Sequence, residues 1–187
     1  MRPFISLEPN NITSLVGHVL IFLVDGLRYD VLHQVNPGNI SRLINEGTEF
    51  TNAQCFPFLS VSVSGACTIG TGANPWVSQV VSNEYQGNVT MDSIFWVANR
   101  RGKTTAAVGT SIVPQLFRNH LNYVVDEEFL RSDELAINVI REHRPNLMWV
   151  HLSDVDQVAH EHGALSPNYF NAIRIADAQI GRVLHAY

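Results

Sequence analysis

Two six-residue apolar runs, Val19-Leu-Ile-Phe-Leu-Val24 and Leu147-Met-Trp-Val-His-Leu152, constrain the fold of this chain more than any other feature. Near-continuous apolar strands are those buried on both faces, the environment of a parallel sheet with helices packed above and below it. Each run gives way to carboxylates: Asp25 followed by the tight-turn Gly26, and Asp154 and Asp156 after Leu152. In such folds the carboxyl ends of the central strands open onto the crevice where ligands bind.

The rest of the chain fits the same architecture. Strand-like stretches at 18–25, 48–52, 103–109, 122–125 and 146–153 alternate with helical patterns at 37–47, 62–71, 90–101, 111–118, 131–143 and 166–187. That alternation predicts an α/β fold, a mostly parallel central sheet with helices on both faces. Ser166-Pro167 opens the last helix with a cap residue and a first-turn proline, and its apolar positions keep helical spacing to Tyr187 without a stop signal. The 187 residues are therefore expected to form a single α/β domain that is the N-terminal part of a larger catalytic domain, with no internal repeat or linker.

Composition narrows the function. A net charge of −5 with no basic run beyond Arg100-Arg101-Gly-Lys103 argues against a nucleic-acid surface and favours a cation site. Cys55 and Cys67 lack C-x-x-C spacing and read as buried thiols. The apolar stretch from Leu15 to Val24 is far short of the roughly 20 residues that cross a bilayer, and no signal-peptide pattern precedes it. The location of the protein is thus left open, and the sequons at Asn11, Asn39 and Asn88 are read as chance.

The chemistry concentrates in Asp156-Gln-Val-Ala-His160-Glu-His-Gly163. A carboxylate and an imidazole four residues apart, delivered by a buried strand into the following turn, can share one divalent cation. An isolated D-x-x-x-H is more often a turn cap beside a surface histidine. Here Ala159 and Gly163 allow close backbone approach, and His151, Asp154 and His162 enrich the neighbourhood. Asp154 is an alternative ligand or an outer partner of a bound imidazole. Asp25 is a turn former in one reading and a crevice carboxylate in the other, and Arg28 and Asp30 read as surface or capping contacts. The hydroxyl-rich segment from Ser60 to Thr71 can set an alcohol at a helix N-terminus, where an anion is favoured. On composition alone an N-cap serine accounts for it.

Taken together, Asp25-Gly26-Leu-Arg28, the serine-rich turn leading to Thr71-Gly72, Asn83 and Asp156-x-x-x-His160-x-x-Gly163 resemble the alkaline phosphatase superfamily, in particular its type I phosphodiesterase/nucleotide pyrophosphatase branch. Gly47-Thr-Glu-Phe-Thr-Asn-Ala53 and Gly102-Lys-Thr-Thr-Ala-Ala-Val-Gly109 are similar to family sequence too. The resemblance implies a metal-dependent hydrolase of phosphate esters that works through a phosphoseryl intermediate on a nucleotide or other phosphate-ester substrate. It implies two divalent ions, zinc or manganese, one held by Asp25 and the nucleophile oxygen and the other by Asp156 and His160.

The family's nucleophile stands nine residues before the Thr of a Thr-Gly pair, which gives Ser62, as does the S-x-x-G spacing to Gly65. Its proline three residues before the nucleophile points instead to Ser60; Ser62 is preferred, because two extra residues are easier to place before a helix than inside it. Asn83 matches the asparagine that holds a phosphoryl oxygen. The family completes its metal shells with an Asp-His pair and a later histidine, and no Asp-His pair occurs in this sequence. Alternatives are a sulfatase- or mutase-like transferase of the same superfamily, the former disfavoured by the lack of a C/S-x-P-x-R element, and a non-catalytic metal- or anion-binding α/β fragment.

Overall fold

The structure is a computed structural model that describes residues 17–54, 61–126 and 131–187. Four strands, β1 (Val19–Val24), β2 (Thr105–Gly109), β3 (Tyr123–Asp126) and β4 (Leu147–Leu152), form one parallel sheet in the order β1-β4-β2-β3. Pairing of β1 with β4 sets Val24 opposite Leu152 and continues one residue further, where the Asp25 N–H donates to the Leu152 carbonyl at 3.0 Å. Because all strands run the same way, Asp25, Thr110 and Ser153 leave the sheet along one edge.

Alternate side chains divide between two cores, as the pleat requires. Met148, Val150 and Leu152 of β4 and Ala106 and Val108 of β2 join the apolar stripes of α7 (Ser132–His143) and α9 (Pro167–Leu184). Trp149 and Ala107 face the other way, onto α3 (Ser62–Thr71), α5 (Ile94–Arg100) and α6 (Ile112–Phe117). There the Trp149 ring lies 6.1 Å from Phe95 and 6.4 Å from Phe117, centroid to centroid. Burial of each such ring contributes about 1.5–3 kcal/mol. The parallel α/β architecture is the one expected, with helices on both faces. Among the described residues no helix is long and apolar enough to cross a membrane. Cys67 is buried in the second core, where desolvation pushes its thiol pKa up, and Cys55 lies outside the described residues.

Three expectations need correction. The stretch 48–52 is not a strand: Gly47 ends α2 (Gly38–Glu46), residues 51–52 form a turn, and Phe50 is exposed. Its Thr and Phe have β propensity, but the stretch pairs with none of the strands among the described residues. Second, among the described residues β1 lies at an edge of the sheet rather than at its centre and is only partly buried. Leu20, Phe22 and Val24 pack on one core and Ile21 and Leu23 on the other; a continuous apolar run reports covered faces and is silent about a free edge. Third, Asp156 and His160 stand not in a turn but on a helix, α8 (Asp154–His162). Two short helices, α1 (Tyr29–Val35) and α4 (Pro75–Ser78), of seven and four residues, are not foreshadowed by the sequence pattern. The 90–101 helix starts later, at Ile94, where the Ser93 hydroxyl caps it by accepting from the Trp96 N–H at 3.1 Å.

Candidate active site

Asp25 and Asp156 come from elements far apart in sequence, and Gly26 brings them together. Gly26 has φ +70, and a Cβ built on it would lie 2.5 Å from Asp156 Cα and 2.8 Å from Asp156 Cβ. The turn after β1 therefore sits in direct backbone contact with the first turn of α8, a closeness only glycine permits. Helical spacing then sets His160 one turn beyond Asp156, with Nε2 3.5 Å from Oδ2. His160 is 81% exposed at its side chain, open to a ligand.

The turn carrying Asp25 is pinned from behind by Tyr169, a fully buried residue of α9. Its hydroxyl donates to the Gly26 carbonyl at 2.7 Å and accepts from the Arg28 N–H at 2.9 Å. Arg28 itself forms an exposed ion pair with Asp30 at 2.7 Å, the surface contact expected of both. A second support comes from β4, where His151 is completely buried. Its Nδ1 lies 2.7 Å from Thr110 Oγ1, and its Nε2 lies 3.5 Å from Asp25 Oδ2. At that separation the pair interacts electrostatically without a formed hydrogen bond, so Nε2 is a buried polar atom lacking a hydrogen-bond partner.

Ser62 is the first residue of α3, after Val61 at the N-cap. Its hydroxyl lies close enough to Asp25 to help lower the pKa of that carboxyl. Asn83 reaches the same helix start: its Oδ1 accepts from the Val63 N–H at 3.0 Å, one of the donors that a first helical turn leaves unpaired. Sequence positions 25, 62, 83, 156 and 160 are thus gathered at the carboxyl edge of the sheet. Ser60 lies outside the described residues. Asp154 is turned toward α9, where Gln179 Nε2 stands 3.5 Å from its Oδ2.

Electrostatics divide the two carboxylates. Burial alone would raise the pKa of Asp25, but His151, the Ser62 hydroxyl and the Gly26 N–H at 3.0 Å outweigh it and hold the group below the ordinary aspartate value. Asp156 is pushed up, first by burial and then by the charge of Asp25, with His160 and His151 opposing. Two carboxylates forced into proximity by a backbone contact, with an imidazole and an alcohol beside them, make a donor set short of positive charge. Oxygen and imidazole nitrogen donors of this kind suit zinc or manganese. Among the described residues, however, no group of three or more His, Cys, Asp or Glu side chains is arranged to hold a metal ion by itself.

The supporting roles of His151, Thr110, Gly26 and Tyr169 emerge only from the fold. His151 carries a signal in the sequence, since a polar residue inside an otherwise apolar buried strand calls for a partner. Tyr169 carries none: in the α9 stripe it reads as core, and its hydroxyl bond spans 143 residues.

The fold is shared with solved structures. Murine ectonucleotide pyrophosphatase/phosphodiesterase 5 superposes with a TM-score of 0.68 at 17% identity, over 90% of this chain and 52% of that one. Its human counterpart gives 0.66 at 18%, over 90% and 51%, and the phosphonoacetate hydrolase of Sinorhizobium meliloti 1021 gives 0.63 at 15%, over 90% and 53%. This chain thus spans about half the length of the structures it resembles. No curated protein sequence matches it. The sequence does match the family model of type I phosphodiesterase / nucleotide pyrophosphatase across residues 19–119 and 85–187. With that match covering nearly the whole described chain on a parallel α/β sheet, the protein belongs to the type I phosphodiesterase / nucleotide pyrophosphatase family.

Proposed function

We propose that this protein contributes the nucleophile side of a metal-dependent phosphate-ester hydrolase, with Ser62 as the nucleophile and a nucleotide or similar phosphodiester or pyrophosphate as substrate. The observation that carries the reading is the backbone contact of the Asp25–Gly26 turn with Asp156 on α8, with the Ser62 hydroxyl beside Asp25. Family membership supports the reaction class, and a variant of the murine relative, described as inactive, is known in complex with AMP.

In this reading Asp25 and Ser62 Oγ would hold one divalent ion and Asp156 and His160 the other. Bound cations supply charge that neutralises phosphoryl oxygens and lowers the pKa of a coordinated alcohol. The chain's own residues do the rest. Asp25, beside the Ser62 hydroxyl, would orient it toward phosphorus. The α3 N-terminus offers backbone N–H groups and its positive dipole end to the anion. Asn83 commits Oδ1 to Val63 and leaves Nδ2 as the donor available to a phosphoryl oxygen. Attack by Ser62 Oγ on phosphorus breaks the bond to the leaving oxygen, and hydrolysis of the phosphoserine regenerates the enzyme. The remaining ligands of the family's two-ion shell come from an Asp-His pair and a later histidine, for which this sequence has no Asp-His counterpart.

The test is Ser62→Ala in the protein, assayed on nitrophenyl phosphate mono- and diesters with rapid-quench mass spectrometry for a phosphorylated peptide. The proposal expects turnover and the phosphopeptide to vanish together while metal content stays near that of the wild type. Phosphorylation that persists and maps to Ser60 moves the nucleophile there. Turnover without any phosphopeptide rejects the covalent mechanism, and metal binding without turnover in the wild type favours a non-catalytic module.

A further inference from the structure

His151 is costly where it stands. It is completely buried on β4, between Val150 and Leu152 in an apolar strand, yet only one of its ring nitrogens has a hydrogen-bond partner. A histidine kept solely for packing would be expected to satisfy both nitrogens or to be replaced by an apolar residue. The surrounding backbone is shaped to keep it. Gly109 at the end of β2 has φ +128, and a Cβ there would lie 2.5 Å from the His151 carbonyl oxygen and 2.8 Å from His151 Cβ. That close approach is what carries Thr110, the next residue, to 2.7 Å from Nδ1.

The proton positions follow from the neighbours. With Nε2 3.5 Å from a carboxylate oxygen, the arrangement that avoids lone-pair repulsion has the proton on Nε2 and the Thr110 hydroxyl donating to Nδ1. The ring then presents an N–H to Asp25 Oδ2, while the Gly26 N–H holds Oδ1 at 3.0 Å. The Gly26 N–H thus holds one carboxylate oxygen by a hydrogen bond, and the imidazole faces the other electrostatically from 3.5 Å.

We propose that His151 is a positioning residue, which, held by Thr110, fixes the orientation of the Asp25 carboxylate so that Asp25 and Ser62 address the same cation. The inference rests on the reading of Asp25 as a metal ligand. Outer partners of metal-binding carboxylates orient the ligand, and their loss weakens metal affinity by about 10–100-fold.

The experiment measures zinc affinity by competition with a chromophoric chelator, together with thermal melting of the metal-free protein, for wild type, His151→Leu, His151→Gln, Thr110→Val, Asp25→Ala and the double variant Asp25→Ala/His151→Leu. Leucine fills the space without a donor, and glutamine returns an N–H near the position of Nε2. Expected are a zinc affinity about 10–100-fold weaker in His151→Leu, most of that recovered in His151→Gln, a smaller loss in Thr110→Val, and no added effect of His151→Leu once Asp25 is alanine. The metal-free melting temperature of His151→Leu should not fall. An unchanged zinc affinity in His151→Leu, with or without a lower melting temperature, overturns the inference and leaves the metal reading of Asp25 standing. A further loss in the Asp25→Ala background overturns it as well, because His151 would then act elsewhere. If Asp25→Ala binds zinc as the wild type does, the metal reading itself falls and takes the inference with it.

Discussion

Replacement of Gly26 by alanine measures the contact on which the site depends. Two costs add. Alanine would have to adopt φ +70, which disfavours an L residue by about 1–2 kcal/mol. Its Cβ would also stand 2.5 Å from Asp156 Cα, 2.8 Å from Cβ and 2.9 Å from N. Two of these three are backbone atoms in the first turn of α8 and cannot rotate aside, so overpacking adds about 1–3 kcal/mol. The total, about 2–5 kcal/mol, is a large part of the roughly 5–15 kcal/mol that stabilises a domain. Gly72 provides the control, since it has φ +69 and a Cβ there would meet nothing within 4 Å; Gly72→Ala should cost only the backbone penalty of about 1–2 kcal/mol. Urea denaturation of both variants, with midpoints and slopes fitted separately, should show Gly26→Ala about 1–3 kcal/mol less stable than Gly72→Ala. Equal losses would mean that the Asp25 turn does not touch α8, and the reasoning would fail at its first step.

Two further predictions follow from neighbouring groups. Tyr169→Phe removes the hydroxyl that serves both the Gly26 carbonyl and the Arg28 N–H, leaving two backbone groups without it; the cost should be about 1–3 kcal/mol in chemical denaturation, and a loss below the error of the fit would show that water replaces the bond. Asp156→Asn should stabilise the metal-free protein at neutral pH, because burial and Asp25 raise the Asp156 pKa and its charged form opposes folding. The sign follows from linkage: a raised carboxylate pKa gives stability that is present at low pH and lost as pH rises through the folded pKa. The difference between variant and wild type, about 0.5 kcal/mol for a partly exposed group, should appear in pH-dependent melting above the aspartate range and vanish below about pH 3. A variant less stable than wild type at pH 7 without metal would contradict it.

Much of the fold is legible in the residues because the signals are local and repeated. The runs ending at Val24 and Leu152 announce strands covered on both faces, and both core clusters divide along them as the pleat demands. Ser166-Pro167 marks the start of α9, where the Ser166 hydroxyl accepts from the Tyr169 N–H at 3.1 Å. Positions 25, 62, 83, 156 and 160 are named as a set by family spacing; the fold sets the Asp25 turn against Asp156 and ties Asn83 to the start of α3. The features that escape the sequence are those fixed by tertiary contact. Edge or centre for β1 depends on how many neighbours the sheet gives it, and the 48–52 stretch has strand-forming residues but, among the described residues, no partner strand. The supports of Asp25 are contacts between distant segments: Tyr169 from α9, and His151 from β4 steadied by Thr110 after β2. No periodicity or motif encodes where a buried hydroxyl or ring nitrogen will end.

The most direct measurement is anomalous diffraction at the zinc edge from crystals of the protein grown with zinc and a phosphate ligand. The account predicts density about 2.0–2.2 Å from an Asp25 carboxylate oxygen beside Ser62, and a second site at the same range from Asp156 and His160. Zinc found only at positions remote from the Asp25–Gly26 turn, or none there at saturating concentration, would contradict it.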